Sequence, residues 1–334
     1  MLSAGTNSAS SADGALKDLS FETSVFMTQT AYRDVSNLNL ESSPDGAYGA
    51  NRAWDKTHRG NWYIEEQRFG AEVVAGGIAV NNTDAIDRGL RILDWGFKQQ
   101  RPDGGFQCPE PFHSTSFFVE AVAHSLLLLQ ASKYSAQYSQ IIADMKPKLL
   151  MAAQWMTVPQ NESRGKKVNR RYTHRRYLVA AALGETGVLM GEASLIARSE
   201  SYVRDGLALQ SAAGYNPELG GWDSSYNAKG MVFACRYYTI VANNEMRQAL
   251  YPMLDKAAKW EASRIDDNGN INTQGNTRVG GKKTEKGRSG KGKKVEVRLV
   301  YEAFYYWSVI SGDASYEKLA QKVAQRSIEQ TPKA

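Results

Sequence analysis

Cysteine is scarce in this sequence of 334 residues, with only Cys108 and Cys235 present. They form no C-x-x-C and stand at no ligand spacing from a histidine, so neither a disulfide framework nor a thiolate metal site organises the fold. Two small buried thiols are expected instead. Histidine is nearly as rare, at four. No HExxH, EF-hand loop or Cys/His cluster occurs, and Asp266-Asp267-Asn268-Gly269-Asn270-Ile271-Asn272 has the wrong spacing for calcium. The expectation is no cofactor and no metal. Long apolar runs are missing as well. The most apolar stretch, Phe117 to Ala131, is interrupted by Glu120, His124 and Ser125, so no membrane span is expected. Helix-turn-helix, zinc-finger and RNP-like signatures are absent, which argues against nucleic acid as a partner. Strand patterning is weak everywhere except Asn268–Val279, which reads as a small hairpin. The N-terminus lacks a charged region followed by an apolar one. Residues 1–14, rich in Ser, Ala and Gly, are expected to form a flexible leader that suits an export-processed, secreted or periplasmic protein. Residues 15–330 are then expected to form a single domain.

Apolar mass is present in quantity. The chain is 42% hydrophobic with 7 Trp, 17 Tyr and 10 Phe, enough for a large core. Its net charge of +6 is unevenly spread. Lys282, Lys283, Lys286, Arg288, Lys291, Lys293 and Lys294 face one acid, Glu285, and Arg164 to Arg176 holds seven further bases and no acid. Such blocks concentrate positive potential, which gathers polyanions.

A unit of roughly 50 to 70 residues recurs, in the manner of repeat architectures. Each unit has a polar Gly-rich loop, a helix apolar nearly all round, a turn and an amphipathic helix. The apolar helices are predicted at Tyr63–Val80, Thr115–Ala131, Tyr177–Met190, Ala228–Val241 and Val297–Ser311. Their partners are predicted at Asp84–Gln99, Ala136–Met156, Leu195–Gln210, Glu245–Arg264 and Ser315–Gln330, with one more helix at Ala15–Val35. In the last partner, Tyr316, Leu319, Ala320, Val323, Ala324 and Ile328 fall on one stripe. A ring of apolar helices wrapped by amphipathic ones would bury both kinds of face.

The loops Pro102-Asp103-Gly104-Gly105-Phe106, Leu219-Gly220-Gly221-Trp222-Asp223 and Asp266-Asp267-Asn268-Gly269-Asn270 share a composition. With Gln99-Gln100-Arg101 before it, the first resembles the Q-x-x-D-G-x-aromatic turn of the α/α-toroid enzymes. These include polysaccharide lyases, unsaturated-uronide hydrolases and, more distantly, terpene cyclases. The resemblance covers about residues 60 to 330 and implies an all-α fold, an α/α toroid of five or six helical hairpins. No DxDD acid motif of the cyclases is present.

Polar residues cluster just before each apolar helix: Arg59, Asn61 and Trp62; His113; Tyr172, His174, Arg175 and Arg176; Trp222, Asp223 and Tyr226; and Lys294. Convergent polar groups in a concave site mark a candidate active site. Eliminative cleavage of a uronic-acid polymer needs cations or amides to neutralise the sugar carboxylate, a base, and an acid for the leaving oxygen. The toroid lyases similarly use Asn, His, Arg and Tyr, although the contiguous Asn-His of the alginate branch is lacking. The expected roles are His174 and Tyr226 as base and acid in either order, and Arg175 or Arg176 with Asn61 on the carboxylate. His113 would assist the proton transfer. Arg59, Trp62, Tyr172, Trp222, Asp223 and Lys294 would hold the anionic polysaccharide. Two alternatives remain open. A glycoside hydrolase would pair Asp223 with Asp103 or Glu110, and a non-catalytic exopolysaccharide binder would need only the basic loops and aromatics.

Overall fold

The apolar periodicity becomes helix almost element for element. The computed structural model describes residues 6–35, 42–53, 62–281, 284–287 and 290–330. Within them lie α1 (Thr6–Glu22), α2 (Val25–Gln29), α3 (Phe69–Ala79), α4 (Thr83–Lys98), α5 (Pro111–Ala131), α6 (Ser139–Thr157) and α7 (Pro159–Asn169). There follow α8 (His174–Met190), α9 (Ala193–Leu207), α10 (Ser224–Ile240), α11 (Asn244–Ala262), α12 (Val297–Ser311) and α13 (Ala314–Gln330). The described chain divides into two compact units, 1–167 with 179–200 and 239–241, and 168–178 with 201–238 and 242–334.

In the first unit, α3 and α4 form a hairpin whose second helix is capped by Asn82, its side chain accepting from Ala85 N at 3.0 Å. Such caps satisfy an amide that the helix cannot. The stripe Ile86, Leu90, Leu93 and Phe97 of α4 is buried. Every residue of α5 from Phe112 to Leu129 is buried too. That helix has the length and hydropathy of a membrane span, but its apolar window lies wholly inside the protein. In the second unit, α11 is capped by Asn243, and α12 and α13 enclose Phe304, Trp307 and Tyr316.

Several expectations are corrected. The single helix predicted at Ala15–Val35 is two, because Ser24 caps a new helix by accepting from Met27 N. Part of the first basic block is helix α7, started by Pro159 with Glu162 in its first turn and Lys166 and Lys167 in its last. This charge order suits the helix dipole. The Asn268–Val279 segment makes no ladder; around it the structure has only isolated bridges, such as Ile265 with Ile271.

The Gly-rich loop is the most regular feature. Ser43–Ala47, Arg101–Gly105, Ser211–Tyr215 and Asp266–Asn270 are each closed by an amide of the first residue donating to the carbonyl of the fifth, at 2.8 to 3.1 Å. The fourth residue is always glycine with positive φ: Gly46 (103°), Gly104 (88°), Gly214 (100°) and Gly269 (79°). A Cβ there would press on a carbonyl oxygen of an amphipathic helix, that of Arg91, Met151, Lys256 or Lys322 respectively. The turn is therefore a spacer that lets a loop lie flat on the next helix. In two copies a glutamine ties it down. Gln100 Nε2 donates to Gly104 O and Lys148 O, and Gln210 Nε2 to Gly214 O and Met253 O, at 2.8 to 3.0 Å. Leu219–Asp223, alike in composition, does not form this turn; its equivalent is Ser211–Tyr215.

Gly104→Ala is expected to cost about 2–4 kcal/mol, combining a left-handed alanine with displacement of the Met151 carbonyl. Gly191→Ala, where φ is also positive (71°) but nothing lies within 4 Å, should cost only about 1–2 kcal/mol. Denaturant unfolding of both variants checks the difference.

Candidate functional site

Four segments of the second unit meet in one polar cluster. Helix α8 opens on His174, whose backbone N–H and ring Nδ1 both lie on Glu218 Oε1, at 2.9 and 2.8 Å. Glu218 comes from the turn before α10 and so caps α8. The adjoining Thr173 hydroxyl donates to Pro217 O at 2.7 Å, fixing the two segments together. With Glu218 ionised, Nδ1–H is the donor, and His174 Nε2 carries the lone pair of a base.

Helix α10 brings Tyr226 in its first turn, its ring centroid 4.7 Å from that of His174. Asp223, just ahead of this helix, is fully buried. Its Oδ1 accepts from Tyr226 N at 3.2 Å, and its Oδ2 accepts from Arg278 N and Val279 N at 2.8 and 2.7 Å. One carboxylate thus starts a helix and clamps the segment after residue 276. That clamp aims the Arg278 guanidinium, 3.5 Å from the Tyr226 ring centroid and 4.7 Å from that of Tyr172. Arg278 also meets Glu218 Oε2 at 3.5 Å and Glu285 Oε2 at 2.8 Å. Glu285 completes the cluster with Lys293, whose Nζ reaches Glu285 Oε1 at 3.1 Å and donates to Tyr226 OH at 3.2 Å.

The environments push the ionisable groups apart. Burial drives Glu218 up to about 8, against the His174 amide and the Arg278 charge that favour its ionised form. Burial acts on Glu285 in the same direction, but Arg278 and Lys293 outweigh it and hold that carboxyl below its ordinary range. Tyr226 is raised by burial, with Arg278 opposing, so its phenol stays protonated. The cluster therefore offers a hydrogen donor (Tyr226), two cations around the Glu285 carboxylate, and an imidazole (His174) oriented by Glu218, whose Nε2 becomes a base as Glu218 ionises near pH 8.

The structure brings His174 and Tyr226 together, in the first turns of α8 and α10 and not on loops. Tyr172 is close by through Arg278. Arg175 is buried, with its guanidinium 4.2 Å from the Tyr172 ring and a bond to Asn169 Oδ1 at 2.9 Å. Arg176 turns instead to backbone, donating to the carbonyls of Asn169, Arg170 and Tyr172. Trp222 is half-buried, beside Tyr215 at 5.9 Å. Lys294 is exposed. His113 belongs to the first unit, in the first turn of α5, with its ring 4.9 Å from that of Phe117. Trp62 is core, edge-on to Trp95 at 6.0 Å. Asp103 accepts from Gly105 N within its own turn, and Glu110 is the residue before α5. Arg59 and Asn61 lie outside the described residues. Sequence reading missed Glu218 and Arg278, which sit in irregular chain with no periodicity to single them out.

No family model matches the chain, and no curated protein matches it. Solved structures do. A protein from Actinoplanes is 15% identical with a TM-score of 0.50, covering 90% of this chain and 80% of its own. A glycosyl hydrolase of family 88 from Bacteroides vulgatus is 10% identical with a TM-score of 0.51, covering 90% of this chain and 86% of its own. At such identity the likeness establishes the fold, an all-α arrangement of helical hairpins of the α/α-toroid class.

Three outcomes follow from the buried carboxyls. Glu261, fully buried and bonded to Asn227 Nδ2 at 2.9 Å, is also raised by burial to about 8. Between the ordinary 4.5 and about 8, the folded chain binds more protons at Glu218 and Glu261 than the unfolded chain, so stability falls as pH rises through that window. The unfolding midpoint is expected to be higher at pH 5 than at pH 8. Glu261→Gln should recover part of the loss at pH 8, on the order of a few kcal/mol. Asp223→Asn, which turns an amide NH2 towards backbone donors, should cost about 2–4 kcal/mol in denaturant unfolding.

Proposed function

We propose that this chain is a carbohydrate-active enzyme acting on an acidic, uronic-acid-containing saccharide, and that it cleaves by β-elimination. The observation that carries the reading is Glu285. Its carboxylate is held by Arg278 and Lys293 and lies 3.4 Å from Tyr226 OH, beside the His174–Glu218 pair. A sugar carboxylate received by the same two cations would have its negative charge neutralised, which acidifies the proton alpha to it. With Glu218 ionised, near or above pH 8, His174 Nε2 would take that proton, and the electron pair would form the ring double bond as the glycosidic oxygen leaves. Tyr226, still protonated, would supply the leaving oxygen's proton. The solved glycosyl hydrolase neighbour supports a carbohydrate substrate.

Hydrolysis is the second reading, favoured by two carboxyls of opposite protonation on one guanidinium. Glu218 is held as the acid and Glu285 as the carboxylate, the division of labour of a glycosidase. Asp223, committed to three backbone amides, does not fit that role.

The deciding measurement is ultraviolet absorbance over a panel of alginate, glucuronan, polygalacturonate and hyaluronan, since only elimination leaves a double bond conjugated to the carboxylate. Absorbance should rise on one of these polymers. His174→Ala and Tyr226→Phe should each lower the rate by about 10²–10⁴-fold. New reducing ends without absorbance would replace elimination by hydrolysis. Neither signal, with salt-sensitive retention on the polymer, would leave a binding protein.

A further inference from the structure

The first unit buries a set of ionisable side chains of its own. Asp18 and Glu22 stand one turn apart on α1, so their carboxylates leave the same helix face. His124 stands in the middle of α5, among the buried apolar residues Ala121, Val122, Ala123, Leu126 and Leu127. His124 Nε2 lies 2.6 Å from Asp18 Oδ2 and 3.8 Å from Glu22 Oε1. The hydroxyl of Tyr32 donates to Glu22 Oε2. One ligand atom each from Asp18, Glu22 and His124 fall within 4.8 Å of one another. Asp18, Glu22, His124 and Tyr32 are exposed by only 0, 1, 2 and 2%.

Ionisable groups withdrawn this far from water are costly unless paired or bound to a metal. Here the donor chemistry selects among cations. Calcium takes six to eight oxygens and magnesium keeps most of its waters, whereas an imidazole with two carboxylates suits a borderline transition ion. Zinc bonds of about 2.0–2.2 Å at a tetrahedral centre separate ligand atoms by roughly 3.3 Å. That value lies between the 2.6 and 3.8 Å seen from His124, and with the third pair, Asp18 with Glu22, held within 4.8 Å, side-chain adjustments of up to roughly 1.5 Å would seat the ion. Tyr32 is placed to orient the Glu22 carboxylate by a hydrogen bond, as outer partners of metal ligands do. We propose that Asp18, Glu22 and His124 bind a divalent cation of the zinc class, which pins α1 to α5. The pattern escapes sequence scanning because the imidazole is 106 positions from Asp18.

The test is titration of the untagged, chelator-stripped full chain with zinc chloride against a chromophoric competitor. One equivalent per chain is expected, with a rise in thermal midpoint of several degrees at a hundredfold excess over Kd. His124→Ala and Asp18→Asn should each weaken binding by at least about tenfold. No uptake, or uptake unchanged in both variants, overturns the proposal. Should either variant fail to fold, Glu22→Gln, which keeps a hydrogen-bonding side chain for Tyr32, decides by the same titration. None of these readouts depends on the saccharide reading.

Discussion

Within each unit, the distance between successive hairpins is set by a backbone contact with no side chain in it. Gly46, Gly104, Gly214 and Gly269 place a bare α-carbon against a carbonyl of an amphipathic helix. A fully packed interior cannot yield to an added methyl group without moving its neighbours. The loop therefore lies flat, and the chain after it enters the next apolar helix at a fixed height. After Ser211–Tyr215 the chain runs into α10 with Tyr226 in its first turn, and α8, entered from α7 without such a turn, opens on His174. At both N-termini backbone amides want acceptors and carboxylates are stabilised. Glu218 and Asp223 answer that demand.

From these two carboxylates the candidate site builds outward. Asp223 holds the backbone of Arg278 and Val279 while starting α10. The fixed backbone aims Arg278 over Tyr226. Arg278 then gathers Glu218 on one side and Glu285 on the other. Charge-assisted bonds of this kind contribute about 1.5–3 kcal/mol each when both partners are held. Removing one partner costs more than the bond, because a buried charge is left behind. The site is accordingly rigid at its base, where Asp223, Glu218 and His174 are buried. It is more open at Glu285 and Lys293, whose side chains are 34 and 36% exposed.

Most of the helices were legible because one signal, apolar periodicity, repeats over fifteen or more residues; α12 falls on the predicted boundaries. Helix α7 was not, since its run of Asn, Glu, Ser, Arg and Lys reads as a charged loop until its caps are considered. His174 and Tyr226 could be found because unusual polar types precede an apolar helix. Glu218 and Arg278 could not, because irregular backbone positions them through Thr173, Thr277 and Asp223, contacts 44 to 60 residues apart. The same holds for Asp18 and His124, where each helix looks ordinary alone.

The pairing of Glu285 bears on how an acidic ligand would enter. Arg278 and Lys293 are already satisfied by a carboxylate of the chain itself, so a sugar carboxylate gains only the difference between its own bonds and those it displaces. Exchange of one anion for another keeps both cations paired throughout and avoids leaving Arg278, 3% exposed, without a counter-charge. A neutral sugar offers no such exchange, because displacing Glu285 would leave Arg278 and Lys293 without a carboxylate. Selection for an acidic saccharide would then rest on the cost of the wrong ligand more than on the strength of the right one.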